Sequence, residues 1–459
     1  MAGIGFELRK VFGKKTLASS IGGIIYASMT TIGPSIVFVG LMIGLRVVLN
    51  FFNIREMESL FFMSSFTYML AVAIVVASLL NTVLSRYISD KIYENKENDI
   101  CGSLYGAITV GAVISGVTGL IIVGLLWKVE GASWILLLPY YSMYVLSTNT
   151  NILTTYVSAL KKYKEVTFIY LIGIALVIPV FIILHKNVGL HILVSVYWGL
   201  TGGFFVINAL LIRECLKAFG PPGENYFEFL VWYKKYPLLF ISGISYMVGF
   251  YISNVIYWFC SDMTAQVSIF KTAPNYDLAI FLAILINLSS MVIFEVKTET
   301  VFYEKYIYFL SILEKGTYNM IEKARESIQN TLNLQLFFIY EVQLVITITL
   351  ICLANVFHPY LGIGNEVLRL FLLTGMGIYC TLCMYFTIIF LYYFEDHKAA
   401  CIGPCVFLVI VTLGSLFCGI VLKDYYTLPL LIGAIAGWLI SFLLLKKRIQ
   451  NLTKYLLCR

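Results

Sequence analysis

The chain contains 459 residues, of which 60% are hydrophobic and 12% are charged, and its formal net charge is +7 at pH 7. Soluble domains carry roughly 25% charged residues, so this composition excludes a water-soluble fold. The 32 lysines and arginines are spread over many polar segments and form no single basic patch. That distribution indicates attraction to anionic lipid and argues against nucleic acid as a partner.

The first twenty residues precede any long apolar run. Ile4, Leu8, Val11 and Phe12 share one helical face, a pattern typical of a helix that lies in the membrane interface. Residues 1–20 are therefore interpreted as an amphipathic cytoplasmic N-terminus; the alternative is a flexible basic lead-in. A cleaved signal peptide is not favoured, because the next apolar run is long enough to remain as an anchor.

Twelve apolar runs follow, each long enough for a membrane-spanning helix of about 20 residues. The first six cover residues 24–49, 60–84, 104–127, 134–157, 166–184 and 190–212. The other six cover residues 238–259, 278–294, 334–357, 367–394, 399–422 and 428–445. Continuous apolar runs predict α-helices, because a helix satisfies its own backbone hydrogen bonds in lipid.

The basic residues between these runs predict the orientation of the chain. With twelve spans, 25 of the 32 lysines and arginines lie on one side of the membrane and 7 on the other. Basic residues accumulate in cytoplasmic loops, so both termini are predicted to be cytoplasmic in a multi-pass protein of a bacterial inner membrane. Removing any one helix would invert all later loops and destroy the asymmetry, which supports the count of twelve.

A weak internal repeat suggests two lobes. At an offset of 220 residues, the pair Lys14-Lys15 matches Lys234-Lys235, and a second match pairs Ile21-x-Gly23-Ile24-x-Tyr26 with Ile241-x-Gly243-Ile244-x-Tyr246. We therefore predict an all-α polytopic membrane protein of about 12 transmembrane helices in two six-helix lobes. The lobes cover residues 21–213 and 236–446, with a cytoplasmic linker at 214–235, a cytoplasmic helical loop near 296–333 and a cytoplasmic tail at 447–459.

Neutral polar residues at membrane depth are the candidates for a substrate path, because such residues normally face a cavity or a neighbouring helix. Those selected are Asn81, Asn149, Asn151, Asn254 and Asn287, with Asn208 and Gln343 as further interior amides. No charged residue falls at the centre of a predicted span. An amide-lined path beside many aromatic residues favours a sugar or glycan, although aromatic belts and helix packing would give the same composition.

Proline 34 is the candidate hinge, since a proline inside a span removes a backbone hydrogen bond and permits a bend. Ordinary kinked packing is the alternative for this residue.

Catalytic and metal sites are not predicted. The sequence gathers neither paired carboxylates nor a nucleophile with a base, so the chain is predicted not to be an enzyme and to need no cofactor. One alternative is a four-thiolate zinc site built from Cys380-x-x-Cys383 and Cys401-x-x-x-Cys405 on consecutive helices. The preferred interpretation is that these cysteines serve as small hydrophobic side chains.

Several motifs resemble those of one family, the Pel exopolysaccharide transporter family PelG of the multidrug/oligosaccharidyl-lipid/polysaccharide (MOP) exporter superfamily. They are Met1-Ala2-Gly3-Ile4-Gly5-Phe6-Glu7-Leu8-Arg9-Lys10, Pro274-Asn275-Tyr276-Asp277-Leu278, Phe281-Leu282-Ala283, Glu299-Thr300-x-Phe302-Tyr303, Tyr306, Gly316 and Ile321-Glu322. The order and approximate spacing of these pieces extend over the whole chain.

The resemblance implies a two-lobed fold with a central cavity that opens alternately to either side. It also implies export of a polymer of N-acetylated, partly deacetylated hexosamines. Its implied partners are a cytoplasmic glycosyltransferase and small membrane regulatory subunits that sense cyclic di-GMP. Tyr276, Asp277, Glu299 and Tyr303 are site candidates on these family motifs alone.

Three functions stay open at this point. The first is a polysaccharide exporter in which the glycan moves by alternating access or is driven by its own polymerisation, past Asn149, Asn254 and Asn287. The second is an ion-coupled small-molecule antiporter of the same superfamily, which would depend on an acidic residue such as Asp277 or Glu295. The third is a scaffold that anchors a glycosyltransferase without transporting anything.

Overall fold

The computed structural model describes residues 33–160, 163–297 and 301–452. Several predictions fall on other residues and lie outside that description. These are the amphipathic segment 1–20, the first copy of the repeat motif, Glu299 and most of the tail 447–459.

The first part of the chain forms six long helices. They are α1 (Gly33–Phe51), α2 (Glu56–Tyr93), α3 (Glu97–Glu130), α4 (Trp134–Ala159), α5 (Tyr163–Lys186) and α6 (Ile192–Phe219). A short 3-10 helix (Glu228–Leu230) and helix α7 (Val231–Lys235) follow. Chain turns between the helices use residues with left-handed backbone, such as Gly131 after α3 (φ 61°), where the absence of a side chain lowers the cost of that conformation.

The second part begins with α8 (Pro237–Cys260) and a two-stranded antiparallel hairpin, β1 (Ala265–Val267) with β2 (Phe270–Thr272). The remaining helices are α9 (Pro274–Asn287), α10 (Ser289–Lys297), α11 (Tyr303–Lys315), α12 (Tyr318–Leu361), α13 (Asn365–Tyr393), α14 (His397–Ile420) and α15 (Leu428–Gln450). The predicted span 278–294 is thus two helices that meet at Leu288. The predicted loop near 296–333 is largely helical, because α12 extends well beyond the predicted run 334–357.

Within the described residues, eleven helical segments are long and apolar enough to cross a membrane. Helix α4 is not among them, although its 26 residues give a length of about 39 Å, which exceeds the roughly 30 Å of a hydrocarbon core. Together with α4 they account for the predicted twelve spans. The prediction of an all-α membrane protein with about twelve spanning helices is confirmed.

The helices divide into two compact units, which we call the N-unit and the C-unit. Within its described residues, the N-unit comprises Gly33 to Phe240 and the segment Ala265–Thr272. The C-unit comprises Ile241–Thr264 and the described residues from Ala273 onwards. The boundaries differ from the predicted lobes at two places. The linker after α6 packs on the N-unit, and the hairpin joins the N-unit because Phe270 is buried in its core.

Each unit has the same internal packing, which supports a parallel repeat of six helices. In the N-unit, α4 packs against α2, α3 and α6, and α6 packs against α5. In the C-unit, α13 packs against α9, α12 and α15, and α15 packs against α14. The fourth spanning helix is therefore the hub of each unit. Contact with three neighbouring helices reduces the surface that a hub helix exposes to lipid, which helps to explain how α4 can carry so many polar residues.

The linker at 220–236 is docked tightly on the ends of α2 and α3. The backbone N–H of Gly223 donates to the carbonyl oxygen of Asn98 at 2.9 Å. A Cβ added to Gly102 would lie 2.9 Å from the Gly223 carbonyl oxygen, and one added to Gly106 would overlap the carbonyl oxygen of Tyr226. The lack of a side chain at these two glycines thus lets the backbone of the linker approach α3.

We expect Gly106→Ala to destabilise the N-unit by about 1–3 kcal/mol, the usual cost of forcing an extra methyl group into a packed site. The colliding atom belongs to the backbone of the linker, so it cannot move aside by a rotamer change. The thermal unfolding midpoint of the purified protein measures this effect. Gly124→Ala is the matched control on the same helix, because a Cβ there meets nothing within 4 Å; equal midpoints for the two variants would contradict the docking.

Candidate functional site

A polar, half-exposed face runs along one end of the hub helix α4. Its members recur at the i, i+3, i+4, i+7 spacing of a single helical face and are Asn151, Thr154, Thr155 and Ser158, all half-buried. The Thr154 hydroxyl is 3.1 Å from the Tyr170 hydroxyl of α5, and the Asn151 amide donates to the Ser147 carbonyl oxygen at 2.9 Å. The face thus presents hydroxyl and amide groups without a formal charge.

Asn149 lies on the side of α4 that contacts α3. A Cβ added to Gly111 of α3 would lie 2.9 Å from the Asn149 Oδ1 atom, so the two helices approach closely there. That Oδ1 atom is buried and has no hydrogen-bond partner among the described residues. A buried carbonyl group without a partner is uncommon and costs roughly 1–3 kcal/mol.

Two other asparagines of the N-unit show the same feature. The side-chain nitrogen of Asn208 donates to the Leu146 carbonyl oxygen (3.0 Å) and the Thr150 hydroxyl (3.1 Å), while its Oδ1 atom has no partner among the described residues. The Oδ1 atom of Asn81 is likewise buried and unpaired within that part of the chain. The N-unit therefore carries three buried amide oxygens that can accept a hydrogen bond.

In the C-unit, two predicted candidates meet at the start of α9. The side-chain nitrogen of Asn254 donates to Asp277 at 2.7 Å, and the Trp258 indole N–H donates to both carboxylate oxygens at 2.9 and 3.0 Å. The backbone N–H of Ala273, the residue before the helix, donates to the same carboxylate at 3.2 Å. Asp277 therefore accepts a hydrogen bond from a backbone N–H group at the start of α9, where such groups lack a partner within the helix.

Tyr276, the residue before Asp277, makes a different set of contacts. Its hydroxyl donates to the Ser253 hydroxyl at 3.1 Å, and its ring meets the ring of Tyr257 edge to face at 4.8 Å. The Tyr257 hydroxyl donates in turn to the Tyr426 carbonyl oxygen at 2.7 Å. These buried contacts join α8, α9 and the segment before α15, so the structure places Tyr276 in the core of the C-unit.

Asn287 is fully buried at the end of α9, next to the break between α9 and α10. Its Oδ1 atom accepts from Gln343 (3.2 Å) and Thr347 (2.9 Å), and its Nδ2 atom donates to the Gly375 carbonyl oxygen (3.2 Å). Gln343 also receives a hydrogen bond from Ser289, the first residue of α10. This network supplies polar partners where the helix is interrupted, as buried breaks in spanning helices require.

The remaining candidates lie apart from these groups. Tyr303 begins α11 and is half-buried, beside the aromatic cluster in which Phe302 contacts Tyr306 and Phe390. Pro34 is the second residue of α1 as described, and it is half-buried. Its role as a hinge stays a prediction.

The residues that the structure describes do not form a metal-binding site. No group of three or more His, Cys, Asp or Glu side chains there could hold a metal ion. Cys401 and Cys405 are neighbours on α14 with sulfur atoms 3.6 Å apart. The four thiolates of the alternative zinc site are not brought together.

Sequence reasoning missed several members of these clusters. Trp258 and Thr347 look like ordinary residues of apolar runs, and only long-range pairing shows their role. The face made by Asn151 and Thr155 could have been found, because its polar residues recur at helical spacing within one run.

Comparison with protein families gives one match that covers nearly the whole sequence. The sequence model of PelG, the exopolysaccharide exporter (EPS-E) family, matches residues 1–456. The chain belongs to the PelG family. This PelG chain is therefore a membrane protein of an exporter family, as its motifs suggested. No curated protein matches its sequence.

Solved transporter structures share the fold of this PelG chain. An outward-facing multidrug resistance MATE family transporter of the MOP superfamily matches with TM-score 0.64 and 11% identity, over 94% of this chain and 96% of that one. The MATE transporter VcmN of Vibrio cholerae in its bent form matches with TM-score 0.62 and 12% identity, over 98% and 99%. A MOP superfamily transporter from Pyrococcus furiosus gives 0.61 and 12%, over 94% and 96%. The MOP transporter fold is thereby confirmed.

Proposed function

We propose that this protein exports a Pel-like exopolysaccharide of N-acetylated, partly deacetylated hexosamines across the bacterial inner membrane. Membership of the PelG family and the MOP transporter fold support membrane export. Passage follows alternating access or is driven by polymerisation of the glycan itself. Both termini lie in the cytoplasm in this proposal, as the distribution of basic residues predicts.

The polar face of α4 is the observation that carries the proposal. A half-buried face of amides and hydroxyls is poorly suited to lipid, since polar side chains at membrane depth normally face a cavity or a neighbouring helix. It is suited to a hydrated path that carries a neutral, hydroxyl-rich polymer. Asn151 and Thr155 are two of its half-buried members, and the Oδ1 atom of Asn149, which has no partner among the described residues, lies on the same helix.

The C-unit carboxylate favours the exporter over an ion-coupled antiporter. Asp277 accepts hydrogen bonds from N–H groups of Asn254, Trp258 and Ala273, which fix the position of the carboxylate at the start of α9. A group that exchanges ions during transport needs to release its partners, whereas these donors anchor a helix start. We therefore assign Asp277 a positioning role in the C-unit.

A complex with a cytoplasmic glycosyltransferase and small membrane regulatory subunits completes the proposal. Co-purification of the tagged protein from native membranes, followed by mass spectrometry, tests it. Recovery of a glycosyltransferase supports the complex, and recovery of the protein alone from a membrane that expresses it well contradicts it.

Export itself is tested by blocking the polar face. We expect Thr155→Trp to lower secreted polysaccharide about tenfold, equivalent to roughly 1.4 kcal/mol on the transport barrier, because the indole fills a half-open site. Secreted glycan per amount of membrane-inserted protein is the measurement. Leu138→Trp is the control on the same helix, since Leu138 is 54% exposed on an apolar surface, and its export should equal that of the wild type.

Equal export by the two tryptophan variants would contradict a path along α4. A scaffold that transports nothing predicts that outcome, provided the glycosyltransferase still co-purifies with both variants. Loss of export together with loss of the glycosyltransferase would point to a docking defect instead.

A further inference from the structure

The linker between α6 and α8 exposes a stripe of side chains with helical spacing. The stripe consists of pairs that recur every four residues and comprises Tyr226, Phe227, Leu230, Val231, Lys234 and Lys235, all exposed. Its first four members are large and apolar, with Phe227 51% and Val231 57% exposed. We call these six residues the linker stripe. One end of it is apolar and the other is basic.

The opposite face of the linker is fixed to the N-unit. Phe229 and Trp232 are buried, and the Trp232 indole N–H donates to Asp90 at 2.9 Å. Glu228 accepts from Lys91 at 2.9 Å. The linker therefore cannot rotate to bury its exposed stripe without breaking these contacts.

The position of the linker along the chain indicates its depth relative to the membrane. Helix α6, a spanning segment, ends at Phe219, and α8, the next spanning segment, begins at Pro237. Helix α7 ends two residues before Pro237, so the basic end of the stripe is within one turn of a point where the chain enters the membrane. Exposed aromatic and aliphatic side chains with adjacent lysines are typical of segments at the membrane interface.

We propose that the linker stripe is a lipid-binding surface that selects anionic headgroups of the adjoining leaflet. Phe227, Leu230 and Val231 insert among the upper acyl chains, and Lys234 and Lys235 contact the phosphates. Each basic residue at an anionic membrane surface adds to the attraction between the protein and the lipid. The N-unit thereby gains an anchor that responds to lipid charge.

Charge favours lipid over a protein partner at this surface. The basic pair is continuous with four apolar residues, and no acidic side chain belongs to the stripe. Lys235 also lies 5.1 Å from the ring centre of Trp232, which holds its amine at the edge of the docked linker. A protein partner would have to bring an acidic, apolar surface to the depth of the headgroups, where lipid already supplies both chemistries.

Quenching by brominated lipid tests the contact directly. The full-length Phe227→Trp variant is placed in nanodiscs that contain phosphatidylglycerol or phosphatidylcholine with brominated acyl chains, and wild-type tryptophan fluorescence is subtracted. We expect strong quenching of this reporter, with brominated phosphatidylglycerol favoured. Glu224→Trp, an exposed position just before the stripe, should show little quenching.

Lysine substitution tests the headgroup preference. With the Phe227→Trp reporter, Lys234→Gln plus Lys235→Gln should reduce the preference for phosphatidylglycerol about fivefold per lysine removed. Lys446→Gln plus Lys447→Gln, two exposed residues near the end of α15, is the control and should leave the preference unchanged. If loss of the Trp232 contact prevents folding of the first double variant, Lys234→Gln alone replaces it.

Two results would overturn the proposal. One is quenching of Phe227→Trp no stronger than that of Glu224→Trp in either lipid, which would leave the stripe to a protein partner. The other is an equal response to both headgroups, which would leave a hydrophobic anchor without charge selection.

Discussion

Lys91→Met is expected to lower the thermal unfolding midpoint of the protein more than any other single loss of charge in the N-unit. The Lys91 side chain is 3% exposed and its amine lies 2.9 Å from both Asp99 and Glu228. It also lies over the rings of Tyr87 and Trp232. Removing one member of a buried ionic cluster leaves the others unpaired and costs about 3–5 kcal/mol. We expect the lower end, about 3 kcal/mol, because the two carboxylates keep some contact with water.

The matched control for this prediction is Lys96→Met, near the same end of α2. Lys96 pairs with Glu94, and both side chains are exposed, 57% and 42% respectively. Exposed pairs contribute about 0–1 kcal/mol, so the midpoint should barely move. A similar small change for Lys91→Met would show that the linker docks through its apolar and backbone contacts alone.

Asp277→Ala is expected to destabilise the C-unit by about 3 kcal/mol, since it leaves the buried N–H donors of Asn254, Trp258 and Ala273 without their acceptor. Asp277→Asn keeps an acceptor oxygen and should lose less. Thermal unfolding of both variants in nanodiscs measures the difference. Asp262→Ala is the control, because Asp262 is 64% exposed in its pair with Lys423.

Transport by Asp277→Asn separates a structural role from ion coupling. If Asp277 positions the start of α9, export per folded molecule should remain near the wild-type value. An ion-coupled antiporter predicts the opposite: a folded variant whose transport no longer responds to an ion gradient. The second result would remove the positioning role that we assign to this carboxylate.

The spanning helices were predictable because lipid imposes a strong and local requirement. Each run of about 20 apolar residues marks a helix without reference to any other part of the chain. Helix α4 shows that the requirement relaxes inside a bundle: its polar run at Ser147 to Asn151 is tolerated because neighbouring helices surround it. The helix was found from its sequence, but its position as a hub was not.

The clusters that carry chemistry were less predictable, because they depend on pairing between distant residues. Lys91 looks like one more basic residue of a cytoplasmic loop, yet it is buried against Glu228, far along the chain. Asn254 and Asp277 were both selected, but for unrelated reasons, and Trp258, which joins them, was not. Local sequence patterns do not predict such contacts, because only the folded chain brings these side chains together.

The hairpin at Ala265–Thr272 has a consequence for how the protein is made. Phe270 fills part of the N-unit core, and the Tyr68 hydroxyl bonds to both the carbonyl oxygen and the N–H of Lys271. The ribosome therefore has to synthesise α8 and the hairpin before the N-unit can close its own core. A polypeptide cut after the linker would lack Phe270 and the partner of the Tyr68 hydroxyl, so part of the N-unit core would stay unfilled.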